Sequence, residues 1–277
     1  LGTTVDKDFW QRKPIIGMIH LAALPGAPRA DLPLAEVEAR ALADAEALVA
    51  GGCHALMLEN FGDSPFFPGR VPPVVVAAMT RLAVAVKTRW RDVPLGINVL
   101  RNDGSASLAV AVAADAAFIR VNVLTGARVT DQGVVTGIAH ELLRERAALG
   151  AARVRILADV DVKHSAPLAE RPLADEVHDL IGRGMADAVV VSGAGTGKPV
   201  DLERLKAVKA AAGATPVVIG SGAGVATLPT LWSACDGFVV GTSLKRDGVS
   251  TAPVEASRVK ELLACHAQSF KAKASKP

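Results

Sequence analysis

Three cysteines, Cys53, Cys235 and Cys265, stand far apart in the chain, and no Cys-x-x-Cys pair occurs. This excludes a disulfide framework and a zinc ribbon and points to a reducing, cytoplasmic compartment. Histidine is sparse as well. The six residues show no His-x-x-x-His or other metal-ligand spacing, so no zinc site is read from the sequence. Neither sign of charge dominates: Lys plus Arg number 31 and Asp plus Glu 28, a net of +3. That balance gives no reason to expect nucleic acid or an anionic membrane as partner. No apolar run approaches the ~18 residues that suggest a transmembrane segment, and the first thirteen residues hold no signal-peptide core. What remains is a chain of 277 residues, 50% hydrophobic and 21% charged, a composition that excludes disorder and supports a filled core.

Short apolar runs alternate with longer Ala- and Leu-rich amphipathic segments. Strands are expected over 14–20, 55–59, 95–99, 118–122, 154–161, 188–192, 216–220 and 237–241. Helices are expected over 35–50, up to about Trp90, and over 105–114, 133–149, 173–183, 201–212, 226–234 and 253–269. Eight strand–helix pairs of roughly 35 residues each are ordinary βα units. Strict alternation argues for a parallel sheet with right-handed crossovers, and eight units close most naturally into a barrel. The expected fold is α/β, a single (β/α)8 TIM barrel over 1–277, with 1–13 as an N-terminal extension and 270–277 as a disordered tail. A doubly wound sheet is the alternative. The first strand is not followed by Gly-x-Gly-x-x-Gly, which weighs against a dinucleotide site.

In such barrels the chemistry sits at the C-terminal strand ends, and polar residues collect there. The first strand ends in His20, the second in Glu59, the third carries Asn98, the fourth Arg120 and Asn122. The fifth runs Asp159-Val-Asp161-Val-Lys163-His164. Side chains two apart share a strand face, so Asp159, Asp161 and Lys163 are expected together. Buried charges are costly unless paired. One reading is an ion-pair network closing the barrel top; the other is a catalytic cluster. In the second, Asp159, Asp161 or Glu59 acts as general base or holds a divalent cation. Lys163 acts as general acid, electrostatic stabiliser or Schiff-base nucleophile. His20 reads equally as a core or a catalytic histidine, and His164 stands beside the cluster.

The seventh strand runs into Gly220-Ser221-Gly222-Ala223-Gly224 and the eighth into Gly241-Thr242-Ser243. Glycines let backbone N–H groups approach an anion, hydroxyls add donors, and a helix after Gly224 would aim its positive end at the same point. Loops after strands seven and eight commonly hold phosphate in this fold. Gly193 and Gly195, in the glycine-rich loop after strand six, complete the expected cradle. The plain alternative is that these glycines only make tight turns.

Several stretches taken together resemble the BtpA/SgcQ family: Pro14-Ile-Ile-Gly-Met-Ile-His-Leu-Ala-Ala-Leu-Pro-Gly-Ala-Pro28, Met57-Leu-Glu-Asn-Phe-Gly-Asp63 with Pro65-Phe-Phe-Pro68, Gly96-Ile-Asn-Val-Leu-Arg-Asn-Asp103, Phe118-Ile-Arg-Val-Asn-Val123, Leu157-Ala-Asp-Val-Asp-Val-Lys-His164 and Val191-Ser-Gly-Ala-Gly-Thr-Gly197. The resemblance spans almost the whole chain; Ala22-Ala23 depart from it. The glycine loops also resemble those of ribulose-phosphate-binding barrels. The family resemblance implies a barrel. It also implies the founding member's label, photosystem I biogenesis or stability, with peripheral attachment to the photosynthetic membrane.

Two functions lead, with a degenerate barrel that binds a phosphometabolite as a regulatory ligand as a third. The first is an enzyme acting on a phosphorylated sugar or nucleoside-like metabolite by isomerase, epimerase or lyase chemistry. The second is a non-enzymatic photosystem I biogenesis factor. The expected partner is a phosphorylated small molecule. No cofactor is implied beyond a divalent cation, and a homo-oligomer is compatible with the sequence.

Overall fold

The computed structural model describes residues 4–193 and 200–274, with side chains up to 272. Eight parallel strands close into a barrel: β1 (Ile15–His20), β2 (Ala55–Glu59), β3 (Leu95–Asn98), β4 (Phe118–Val121), β7 (Arg155–Asp161), β9 (Ala188–Val191), β10 (Val217–Ile219) and β11 (Gly237–Val240). Their order round the barrel is β1-β11-β10-β9-β7-β4-β3-β2. The outer layer comprises α2 (Leu34–Gly51), α3 (Pro73–Arg89), α4 (Gly104–Ala113), α5 (Ala139–Ala148), α6 (Leu173–His178), α7 (Leu202–Ala212), α8 (Leu228–Leu231) and α9 (Ala256–Ala274). Residues 270–274, expected in a disordered tail, continue α9 as helix.

Strand alternation produces two apolar zones. Ile15, Ile19, Leu56, Leu58, Ile97, Ile119 and Val191 pack outward against helices. Ile16, Met18, Met57, Phe118, Leu157, Val190, Val218 and Val239 fill the barrel interior. The N-terminal extension belongs to the interior zone. Its short helix α1 (Lys7–Gln11), capped by Asp6 on the Phe9 N–H, buries Trp10, which joins Val5 in that cluster.

Three further strands form a separate antiparallel sheet in the order β6-β5-β8: β5 (Ala127–Thr130), β6 (Gly133–Thr136) and β8 (Ser165–Pro167). This corrects the expected helix over 133–149, which begins only at Ala139. Val134 and Val135 are β-branched and pair with Val129 and Arg128 across a tight turn, with Gly133 at φ +94°. The insertions follow β4 and β7, so this sheet stands beside the C-terminal mouth. Val123, Val135 and Val162 pack together beneath it.

Candidate functional site

The top layer of the barrel is polar. On six of the eight strands the inward position beyond the apolar plug carries a hydrogen-bonding side chain, His20, Glu59, Asn98, Arg120, Asp159 or Ser192; on β10 and β11 it is glycine. Arg120 meets Asp159 in a two-point ion pair, Nε to Oδ2 at 3.0 Å and Nη2 to Oδ1 at 2.8 Å. Asn122 Nδ2 donates to the same Oδ2 at 2.8 Å, and Arg120 Nη2 reaches Ser192 Oγ at 3.3 Å. Burial alone would lower Arg120, but the Asp159 charge and its hydrogen bonds outweigh this and raise it. On the other side, Asn98 Nδ2 donates to Glu59 Oε2 at 2.6 Å, and Glu59 Oε1 lies 3.9 Å from His20 Nε2.

His20 is held on three sides. Its ring stacks on Phe61 at 4.5 Å, and Nδ1 lies 3.1 Å from the Ser250 carbonyl. A carbonyl only accepts, so Nδ1 carries the proton and Nε2 keeps its lone pair. Burial lowers the His20 pKa below its usual value, against the Glu59 charge that raises it. The sequence gives one hint of Phe61, an aromatic two residues past the end of β2. It gives none of Ser250.

A cavity of about 350 Å³ opens above this layer. Its lining includes His20, Glu59, Phe61, Arg120 and Lys163 together with the 220–227 and 239–243 segments. Gly220 and Gly241 make room for the polar layer. A Cβ at 220 would lie 2.5 Å from Ser192 Oγ and 3.0 Å from Arg120 Nη2. Gly222, at φ +75°, takes the left-handed turn that favours glycine. The N–H groups of Gly222, Ala223, Thr242 and Ser243 donate to no other described residue.

Three details differ from the expected cradle. Ser243 Oγ donates to the Ala223 carbonyl at 2.8 Å, so its hydroxyl proton is committed to the loop. Ser221 Oγ accepts the Gly193 N–H at 3.2 Å and ties the sixth-strand loop to the seventh. The helix after Gly224 is only Leu228–Leu231, and the Gly224 N–H is taken by Thr227 Oγ1 at 3.0 Å. The helix end therefore adds nothing here; loop N–H groups are the available donors. Gly195 lies outside the described residues.

Asp161 leaves the expected cluster. β7 bulges between Asp159 and Asp161, which pair with the successive residues Val190 and Val191. The extra residue turns Asp161 to the outer face, where it pairs with Arg128 at 3.2 Å and Arg204 at 2.8 Å. Arg128 also holds Glu176 at 2.6 Å. His164 is exposed in the turn after β7 and does not line the cavity. Asn122 and Asp159 also border a second cavity of about 310 Å³ beneath the antiparallel sheet.

Lys163 does line the main cavity, and burial, then the neighbouring Arg120 charge, brings its pKa down to about 8. Arg101 Nη2 donates to the Lys163 carbonyl and anchors its backbone. Burial lowers Arg101 as well. Among the described residues no group of three or more His, Cys, Asp or Glu side chains could hold a metal ion. Asp159 already accepts from Arg120 and Asn122, which disfavours it as a ligand.

The chain matches the BtpA family over residues 11–268. It is 46% identical over 268 residues to the photosystem I biogenesis protein BtpA of Synechocystis sp., covering 97% of this chain and 93% of that one. It is 33% identical over 253 residues to the putative sgc region protein SgcQ of Escherichia coli, covering 91% and 93%. Among solved structures, phosphoribosyl anthranilate isomerase from Thermus thermophilus superposes with a TM-score of 0.56 at 13% identity, covering 92% of this chain and 98% of that one. That likeness concerns the fold. No helix among the described residues is long and apolar enough to cross a membrane.

Proposed function

The chain belongs to the BtpA family, and from that premise we propose that it is an enzyme acting on a phosphorylated sugar or nucleoside-like metabolite at the C-terminal mouth of the barrel. The observation that carries this reading is what lines the cavity. The loop wall offers the N–H groups of Gly222, Ala223, Thr242 and Ser243, which have no partner among the described residues; the strand ends present His20, Glu59, Arg120 and Lys163. Backbone N–H groups in a glycine loop suit phosphate oxygens. With the phosphate on that wall, the carbon skeleton extends over His20 and Lys163. The barrel neighbour named for a phosphoribosyl substrate is compatible with this reading.

The chemistry follows from proton inventory. His20 Nε2 is a neutral acceptor beside Glu59, suited to moving a proton between carbon and oxygen. Lys163 places a cation where negative charge would develop on a substrate oxygen. Arg120 and Asp159 neutralise each other and hold the floor rigid. This set suits isomerisation, epimerisation or bond cleavage next to a carbonyl.

A second reading comes from the name of the Synechocystis relative, a photosystem I biogenesis protein. The observation favouring it is the outer face of the antiparallel sheet, where the paired Val129 and Val134 are both exposed. A thermal-shift panel separates the two. Phosphorylated sugars should raise the melting temperature and their dephosphorylated counterparts should not. A ligand at 100 times its dissociation constant adds about 2.7 kcal/mol. Gly224→Asp should abolish the shift. Gly224 is outside the left-handed region and an added Cβ meets nothing closer than 3.4 Å, so the variant has room to fold. No shift from any phosphorylated sugar would move the weight to the docking reading.

A further inference from the structure

Among the described residues, every charged group of the polar layer and the cavity has a partner except one. Asp159 is held by Arg120 and Asn122, Glu59 by Asn98, and Arg101 by the carbonyl of Lys163. Lys163 Nζ makes no hydrogen bond or ion pair with any described residue, yet it lines the cavity. A lysine serving as a structural cation would need a carboxylate of its own. Here Asp159 and Glu59 Oε2 already accept hydrogen bonds from Arg120, Asn122 and Asn98; burial first, then the Arg120 and Arg101 charges, disfavour the ammonium form, against the Glu59 and Asp159 charges that favour it. Such surroundings bring the free amine within reach near neutral pH.

We propose that Lys163 is an amine nucleophile that forms an iminium with the carbonyl carbon of a phosphorylated aldehyde or ketone. The proposal rests on the reading above that the phosphate sits on the loops after β10 and β11. His20 is the proton carrier, because its Nε2 is unprotonated and its ring feels the Lys163 charge.

The step balances as follows. The Lys163 ammonium gives one proton to His20 Nε2. The freed lone pair attacks the carbonyl carbon; a C–N bond forms, and the carbonyl π pair moves to oxygen, which takes that proton back from His20. The nitrogen then loses a second proton to His20. This proton is delivered to the hydroxyl, which departs as water while the nitrogen lone pair closes the C=N bond. The resulting cation draws the electron pair of an adjacent C–H or C–C bond. The substrate class is therefore narrowed to phosphorylated carbonyl compounds.

Pyridoxal 5′-phosphate, an aldehyde bearing a phosphate, is a suitable probe. The full chain is treated with a limiting amount, reduced with borohydride and mapped by peptide mass. The expected adduct concentrates on Lys163, is displaced by excess inorganic phosphate, and rises with pH to a midpoint near that lysine's pKa of about 8. Pyridoxal without phosphate should label it about tenfold less or weaker still, the worth of one charge-assisted hydrogen bond. Lys163→Arg, which keeps the charge, should lose the adduct and keep phosphate binding. Labelling spread over the other lysines, with Lys163 no higher than they are, overturns the proposal. If inorganic phosphate still binds in that case, the phosphate reading stands and only the iminium fails. If phosphate binding is absent too, both fail.

Discussion

The His20 ring occupies the space that a side chain at Gly241 would need: a Cβ there would lie 2.9 Å from Cε1 and 3.1 Å from Nε2. Backbone at the end of β11 thus sets the ring on the end of β1, two strands that pair directly. Gly241→Ala must push the ring off Phe61 and away from the Ser250 carbonyl. The expected cost is about 1–3 kcal/mol in urea unfolding, typical of overpacking. The imidazole titration, followed by NMR, should rise toward the ordinary histidine value as burial is relieved. Unchanged stability and titration would show that the ring is not held there.

Asp159 and Asp161, two apart in sequence, should behave differently. Asp159→Ala leaves Arg120 buried without its counter-ion and should cost about 3–5 kcal/mol. Replacing both, as Arg120→Met with Asp159→Leu, should recover most of that loss. Asp161→Ala removes a partly exposed contact while Arg128 keeps Glu176, so about 0–1 kcal/mol is expected. Chemical denaturation of the four proteins checks this, and equal costs for the two single variants would contradict it.

Stability should fall in mild acid. His54 accepts the Ile15 N–H through Nδ1, and burial, with the His266 and Arg12 charges, brings its pKa down from 6.5 to about 4. A depressed histidine is neutral in the fold and protonates first in the unfolded chain. Its contribution is therefore complete above pH 6.5 and is lost as pH falls toward 4. His20 is shifted in the same direction and adds to the effect. Urea midpoints should drop between pH 7 and 5, and less steeply in His54→Gln. A flat profile over that range would contradict the assignment.

The N-terminal helix should matter to the barrel itself. Trp10 is buried beneath it, and a Cβ on Gly237 at the start of β11 would lie 3.1 Å from its ring. Trp10→Ala should cost about 3–5 kcal/mol, the usual loss for a buried large aromatic. A loss below about 1 kcal/mol, the range of surface changes, would mean that the extension is only attached, not part of the core.

Much of this site is legible in the sequence for a simple reason. Period-two alternation carries His20, Glu59, Asn98, Arg120 and Asp159 inward from any correct strand assignment, and each lies near a C-terminal strand end. Asp161 escapes that logic because a single bulge reverses the face, and nothing in Asp159-Val-Asp161 marks it. The β5–β6 hairpin is hidden for a related reason. Gly133 to Thr136 runs straight into a true helix, and the pairing partner that makes it a strand is Ala127 to Thr130. The roles of Gly220 and Gly241 are half legible. The sequence suggests an anion loop, whereas the structure adds that glycine is needed there to clear Arg120 and His20. Phe61 and the Ser250 carbonyl reach His20 through tertiary packing, which periodicity cannot encode.

The most direct test of the phosphate site is a backbone amide NMR titration with inorganic phosphate and with a phosphorylated sugar. The account predicts saturable shifts centred on Gly222, Ala223, Thr242 and Ser243, the N–H groups without a partner in the described fold, and their loss in Gly224→Asp. Shifts confined to exposed lysines and arginines, or unaltered by that substitution, would contradict it.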